Sequence, residues 1–87
     1  MSKKKWTPAK IDQRLREMIS EELGVDESAV TPDAHVVHDL GADSLDFVEL
    51  IMRCEDDFKI EIDDDDTEKM AHVRDLSNYL AKRLVTT

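Results

Sequence analysis

Apolar residues recur at intervals of three and four in three separate stretches of this chain, and that spacing predicts three amphipathic helices around one core. The predicted helices run from about Pro8 to Glu22, from about Ser44 to Asp57 and from about Val73 to Leu84. The chain has 87 residues with only two glycines and two prolines, a composition that favours helices over a turn-rich β architecture. We expect a single domain, residues 8–85, behind a flexible basic tail of residues 1–7.

Local signals mark the ends of the first helix and the segment that follows it. Thr7 is suited to cap the helix, Pro8 to occupy its first turn and Gly24 to end it. Residues 24–43 lack sustained periodicity, so we expect an ordered connector with one short helical turn and a chain reversal at residues 31–33. Five apolar residues are expected to attach this connector to the core: Val25, Val30, Val36, Val37 and Leu40.

The segment between the second and last helices is short and acidic. Residues 59–62 alternate like a strand but have no evident partner strand, so an extended link is expected. The run Asp63 to Asp66 favours the start of a short third helix, because carboxylates are stabilising at a helix N-terminus. The last helix has a poorly marked start, since Ala71 and His72 are weak caps. The predicted fold class is all-α, a small helical bundle with one long connector.

The negative charge of the chain lies in one segment. The net charge is −9, but the 28 residues from Asp39 to Asp66 carry −10 and the remainder carries +1. This acidity argues against nucleic acid, whose phosphates bind Lys and Arg, and favours partners with basic surfaces. No apolar run reaches the roughly 18 residues of a membrane span. The lone cysteine, Cys54, excludes an internal disulfide and is expected to be a buried, unreactive thiol.

The second helix has two apolar faces. At about 100° per residue, the larger face is expected to lie in the core and consists of Phe47, Leu50, Ile51, Cys54 and Phe58. The smaller face, which we name the outer stripe, consists of Leu45, Val48 and Met52. Its acidic neighbours are Asp46, Glu49 and Asp56, and an apolar strip rimmed by charge of one sign is typical of an interaction surface. The alternative is that the connector folds over the outer stripe and buries it.

Ser44 stands at the N-terminal end of the second helix and has two interpretations. A serine in this position is most often a helix cap. Alternatively, a phosphate on its hydroxyl would face the positive end of the helix dipole, and Gly41 and Ala42 would leave the approach uncrowded. No histidine adjoins Ser44 in sequence and no nucleophile–base pair is evident, so catalysis by this chain is not expected.

Two further groups of polar residues carry weak signals. The acidic run from Asp63 lacks the alternating ligands and the glycine of an EF-hand loop. His35, His38 and His72 have no partner at zinc-ligand spacing and are expected to be solvated or locally hydrogen-bonded. We therefore expect no dedicated metal site.

The residues around Ser44 closely resemble the acyl carrier protein family. The matching run is Asp39-Leu40-Gly41-Ala42-Asp43-Ser44-Leu45-Asp46 with Val48-Glu49-Leu50 behind it, and the resemblance extends over residues 9–84. It implies a four-helix bundle with a long ordered loop between helices 1 and 2 and a short third helix. In that family a transferase esterifies the motif serine to 4′-phosphopantetheine, whose thiol carries acyl groups. The resemblance thus implies Ser44 as the attachment point and Asp43 as its motif neighbour.

The same resemblance implies a function and partners. The expected protein is a non-catalytic monomer of the bacterial cytoplasm, or a processed organellar form, that carries growing acyl chains for fatty-acid or related lipid biosynthesis. The expected partners are a phosphopantetheinyl transferase and fatty-acid synthesis enzymes with basic patches, which would meet the outer stripe together with Asp46, Glu49 and Asp56. Polyketide or aminoacyl cargo, or an acidic interaction subunit that carries no cargo, remain alternatives.

Several positions depart from the pattern of that family. Arg53 is expected to lie among the acidic residues of the second helix and to reduce their charge. Phe47 and Cys54 change the bulk of the core face, so the preferred length of an acyl chain stays open. Asp63 and the pair Ala71-His72 replace a common proline and a common capping threonine, and we expect them to loosen the third helix.

Overall fold

The computed structural model describes residues 5–85 of the chain. In this part the chain forms four α-helices and one 3-10 turn: α1 (Pro8–Leu23), the 3-10 turn (Glu27–Ala29), α2 (Ser44–Phe58), α3 (Asp64–Thr67) and α4 (Val73–Leu84). The described residues form no strand and only one isolated antiparallel bridge, between His35 and His72. The predicted small helical bundle is confirmed, while residues 1–4 of the expected tail lie outside the described residues.

Both ends of α1 form as the sequence predicts. The Thr7 hydroxyl accepts a hydrogen bond from the Lys10 N–H at 3.2 Å. Gly24 ends the helix with a φ of 69°, a left-handed conformation that glycine adopts without a steric penalty, and its N–H donates to the Ser20 carbonyl. The inner face of the helix is fully buried and consists of Ile11, Leu15, Met18 and Ile19.

Three backbone hydrogen bonds fasten the connector to the start of α4, one of them from the Arg74 N–H to the Pro32 carbonyl at 3.1 Å. The Val36 N–H donates to the Ala71 carbonyl at 2.9 Å, and the Val73 N–H donates to the Ala34 carbonyl at 3.0 Å. Val36 is buried, but the adjacent Val37 is 43% exposed, so the predicted core position of Val37 is wrong. The bond to Ala71 fixes the backbone at Val36, and its neighbour then faces away from the core. The other predicted attachment residues are buried or half-buried: Val25, Val30 and Leu40.

The larger face of α2 faces the core, and α2 packs on α1. Four of its predicted residues are buried and Phe47 is half-buried; the buried ones are Leu50, Ile51, Cys54 and Phe58. The Trp6 ring lies against Phe58 with 4.6 Å between ring centroids, so apolar contact with the bundle begins before α1. Burial raises the pKa of the Cys54 thiol to about 12, which makes this group a poor nucleophile near neutral pH.

Two arginines join α1 to α2. Arg14 on α1 pairs with Asp57 at 2.5 Å, and Arg53 on α2 pairs with Glu21 at 2.9 Å and Glu22 at 3.4 Å. The guanidinium of Arg53 thus reaches the C-terminal turn of α1, partners that the sequence did not indicate, and its expected effect on the charge of the α2 surface stays a prediction. Both arginines are about one-third exposed and Glu21 is 61% exposed, so the pairs with Asp57 and Glu21 each contribute no more than about 1 kcal/mol.

Side chains of α4 hold the one-turn helix α3. The Tyr79 hydroxyl donates to the Asp66 carboxylate at 2.9 Å. Arg83 donates both to the Tyr79 oxygen and to the Glu61 carbonyl in the extended link before α3, each at 2.9 Å. These bonds tie the short helix and its link to the bundle. The expected loosening of this region stays a prediction, which the rate of amide hydrogen exchange would test.

The start of α4 is capped from inside the helix. Asp75, in the first turn, accepts hydrogen bonds from the N–H groups of Ala71 and His72, each at 2.9 Å. This carboxylate supplies the cap that Ala71 and His72 lack. The backbone bond from His72, followed by that from Ala71, holds the pKa of Asp75 below its usual value of 3.8.

Removing this cap is expected to destabilise the fold in a pH-dependent way. A carboxylate whose pKa is lowered on folding contributes stability above its unfolded pKa and loses it as pH falls through the folded value. Asp75→Ala is expected to reduce the free energy of unfolding by about 1 kcal/mol at pH 7, with the difference shrinking as pH falls below the ordinary 3.8. Urea unfolding across this range tests it. Asp63→Ala is the matched control, since the Asp63 side chain makes no cap bond; an equal loss there would contradict the assignment.

Candidate functional site

Ser44 is the first residue of α2, but Asp43 caps the helix. The Asp43 carboxylate accepts from the Asp46 N–H at 2.8 Å, and the Asp46 carboxylate accepts from the Asp43 N–H at 3.2 Å. This reciprocal pair is a capping box, so the interpretation of Ser44 as the cap is wrong. The Ser44 side chain is exposed, and its hydroxyl has no hydrogen-bond partner within residues 5–85.

The backbone before Ser44 is held in place while the space around it stays open. Gly41 has a φ of 82°, which requires glycine, and a Cβ placed there would meet no atom within 4 Å. The Gly41 N–H donates to the Val37 carbonyl at 3.0 Å, and the Ala42 N–H donates to the Val36 carbonyl at 3.1 Å. Ala42 is buried. The fold thus presents an exposed hydroxyl from an anchored turn.

An open cavity of about 660 Å³ lies beside Ser44. Its walls come from the connector, the first turns of α2 and the segment before α4, and they are largely apolar. The side chains of the wall include His35, Val37, Phe47, Val48 and Met70. The sequence gives no signal for this cavity, because its walls belong to three segments that only the tertiary fold brings together.

The outer stripe of α2 is exposed to solvent. Leu45 is 66% exposed, Val48 51% and Met52 59%, so the alternative in which the connector buries the stripe is wrong. Val37 on the connector shares the cavity wall with Val48 and adds a fourth exposed apolar side chain that the sequence analysis missed. The pair Val36-Val37 was the signal in the sequence that one of these valines is exposed, because adjacent residues of an irregular segment seldom both face one core.

Carboxylates from two helices converge beside the outer stripe. Oxygens of Glu22, Asp46 and Glu49 lie within 4.8 Å of one another. A side-chain hydrogen bond with Glu22 is the main cause of a raised pKa at Glu49. Glu22 lies on α1 and was not among the predicted acidic neighbours of the stripe, because only the packing of α1 on α2 places it there. Asp56, also predicted, is exposed on α2.

The repulsion among these carboxylates is expected to cost stability at neutral pH. A carboxyl whose pKa is raised on folding contributes stability below its unfolded pKa and loses it as pH rises through the folded value. Glu49→Gln is therefore expected to raise the midpoint of thermal unfolding at pH 7, and this gain should shrink below the ordinary pKa of 4.5. Glu68→Gln, at another exposed glutamate, is the control. A midpoint that falls in Glu49→Gln at pH 7 would contradict the prediction.

Three histidines meet at the bridge between the connector and α4. The His35 ring lies 4.2 Å from that of His38 and 5.0 Å from that of His72, measured between centroids. The His35 Nδ1 accepts the backbone N–H groups of Val37 at 3.2 Å and His38 at 3.1 Å. The predicted local hydrogen bonding is thus confirmed for His35, while the clustering of the three rings was missed.

The fold and this site define a class of protein: a small helical bundle that presents an exposed serine at the start of an acidic helix with an apolar outer stripe. The family described as the phosphopantetheine attachment site matches residues 13–80, most of the chain. The chain belongs to this family, whose members carry 4′-phosphopantetheine covalently on a serine, and the resemblance to acyl carrier proteins is confirmed. No helix within residues 5–85 is long and apolar enough to cross a membrane.

The residues around Ser44 fit the phosphopantetheine group. Attachment requires a hydroxyl that an incoming transferase can reach, and the Ser44 hydroxyl is exposed and unengaged within the described residues. The open space at Gly41 leaves room for the phosphate, and the adjacent cavity offers apolar surface to the rest of the arm. The N-terminus of α2 also favours the negative charge of a phosphodiester.

Proposed function

We propose that this protein carries growing acyl chains as thioesters on a 4′-phosphopantetheine arm attached to Ser44, for fatty-acid or related lipid biosynthesis. The observation that carries the proposal is the exposed Ser44 hydroxyl, which has no hydrogen-bond partner within residues 5–85 because Asp43 caps α2. Two of the other serines within the family match are hydrogen-bonded, and the third, Ser28, is exposed but does not begin an α-helix. Ser20 donates to the Val25 carbonyl, Ser77 is hydrogen-bonded to Asp12, and Ser28 lies in the 3-10 turn.

When bound, the arm supplies a terminal thiol that holds cargo as a thioester. The residues of this chain attach the arm, orient it and display it. The capping box of Asp43 and Asp46 fixes the first turn of α2, whose remaining N–H groups would be available to a phosphodiester on Ser44. Burial and a pKa of about 12 keep the Cys54 thiol from competing with the arm for acyl groups.

We propose the outer stripe and its acidic neighbours as the surface that docks partner enzymes. The partners are a phosphopantetheinyl transferase and fatty-acid synthesis enzymes with basic patches, which would meet Leu45, Asp46, Val48, Glu49, Met52 and Asp56. A basic side chain of a partner that binds near Glu49 would reduce the repulsion among the carboxylates of Glu22, Asp46 and Glu49. This reduction in repulsion would favour docking. Asp46 also holds the capping box, and its substitution would change the fold as well as the docking surface.

In this proposal the domain of residues 8–85 acts as a cytoplasmic monomer and leaves catalysis to its partners. The partner enzymes form and modify the thioester, while the chain delivers the cargo from one to the next. The exposure of the outer stripe supports this role, because a surface that stays uncovered is available to each partner in turn.

The proposal is tested by intact-mass measurement after incubation with coenzyme A and a phosphopantetheinyl transferase. We expect the addition of a single arm, located by peptide mapping to the peptide that contains Ser44. The absence of any addition would contradict the carrier function. Acyl species released from the protein isolated from its native host then identify the cargo, and polyketide or aminoacyl groups there would contradict the fatty-acid assignment alone.

A further inference from the structure

The hydrogen bonds of His35 leave one ring nitrogen available for a ligand. Because Nδ1 accepts two backbone N–H groups, the neutral imidazole carries its proton on Nε2. Within residues 5–85, this Nε2–H has no acceptor. A 180° flip of the ring would break both hydrogen bonds at Nδ1. The backbone of the connector therefore determines that Nε2 is the donor.

His35 also belongs to the wall of the cavity beside Ser44. His35 lines the cavity together with Ser44 and several apolar side chains. The charged group in the wall, Asp43, is already engaged as the cap of α2. An apolar wall with one neutral N–H donor suits a neutral acceptor such as an amide or thioester carbonyl, whereas a phosphodiester is better placed at the helix N-terminus.

We propose that His35 is an arm-binding residue whose Nε2–H donates a hydrogen bond to a carbonyl oxygen of the pantetheine arm when the arm lies in this cavity. The inference rests on the proposed function, since the arm must first be attached to Ser44. His35 then selects one resting position for the arm between encounters with partner enzymes. His38 and His72 are outside the cavity wall and provide internal controls in the same cluster.

The direct test is NMR of the wild-type protein with labelled histidine rings, before and after modification with coenzyme A labelled in its pantetheine portion. We expect the His35 Nε2 resonance to move on modification, and nuclear Overhauser contacts to join the His35 ring to protons beside the amides of the arm. Absence of these contacts, contacts confined to the group next to the phosphate, or equal changes at His38 would each overturn the proposal.

A pair of variants separates binding of the arm from support of the connector. His35→Asn keeps a side-chain oxygen that can accept the connector N–H groups but replaces the Nε2–H donor with the NH2 of a shorter side chain. We expect the ratio of docked to free arm, measured from contacts between the arm and Val37 or Met70, to fall roughly two- to tenfold. His38→Asn should leave this ratio unchanged, and equal ratios in both variants would overturn the proposal.

Two further outcomes remain distinguishable. If the His35→Asn variant fails to fold, the wild-type contacts still decide the question. If intact mass shows no arm on the wild-type protein, the proposed function fails, whereas an attached arm without contacts to His35 overturns only this inference.

Discussion

Replacing Ser44 by alanine is expected to abolish the mass addition that coenzyme A and a phosphopantetheinyl transferase produce on the wild-type protein. The loss should be complete, because the reaction needs an oxygen nucleophile and alanine supplies none. The variant should remain folded: Asp43, not Ser44, caps α2, and the exposed Ser44 hydroxyl makes no hydrogen bond within the described residues. A change in stability within about 0.5 kcal/mol is expected for such a surface position.

Two variants make this result specific to the site. Ser28→Ala removes another exposed serine from the family match and should be modified as fully as the wild-type protein. Asp43→Ala removes the cap but keeps the Ser44 hydroxyl, and is expected to reduce stability by about 1 kcal/mol while a reactive serine remains. Persistent addition to Ser44→Ala, with an unmodified peptide around residue 44, would place the arm on another residue.

The ends and faces of the helices were predictable because they depend on residues close in sequence. Thr7 and Gly24 mark the ends of α1, and the spacing of apolar residues in α2 assigned one face to the core and left the other in solvent. The start of α2 at Ser44 was predicted, whereas its cap was not assigned to Asp43. Asp43 and Ser44 can both cap a helix. The signal that favours Asp43 was Asp46, because a carboxylate three residues after the cap can complete a capping box.

Four missed features depend on contacts between distant segments. Glu22 joins the carboxylates of α2 only because α1 ends beside that helix, and Arg53 finds its partners on α1 for the same reason. The cavity and the histidine cluster require the connector to be fastened to the segment before α4. Helical periodicity reports which face of a helix is buried, but not which neighbouring helix covers it.

Charge reversal beside the outer stripe is expected to weaken binding of the phosphopantetheinyl transferase strongly. In the variant that combines Glu49→Lys with Asp56→Lys, two attractive contacts become repulsive, and we expect Kd to rise roughly 10- to 100-fold at low salt. The fold should not suffer, because a lysine at position 49 would lie near the carboxylates of Glu22 and Asp46 and relieve their repulsion. Titration calorimetry with the unmodified protein measures the binding.

A variant with the same change in net charge separates a docking surface from a general field effect. Combining Asp26→Lys with Glu27→Lys reverses two exposed charges at the 3-10 turn, which packs near α1. We expect a much smaller rise in Kd there. Salt measures the electrostatic part of the binding separately, since the screening length falls from about 10 Å at 0.1 M to about 3 Å at 1 M and the wild-type affinity should fall toward that of the α2 variant. Equal weakening by both double variants would mean that the partner responds to total charge, and would remove the reason to assign docking to α2.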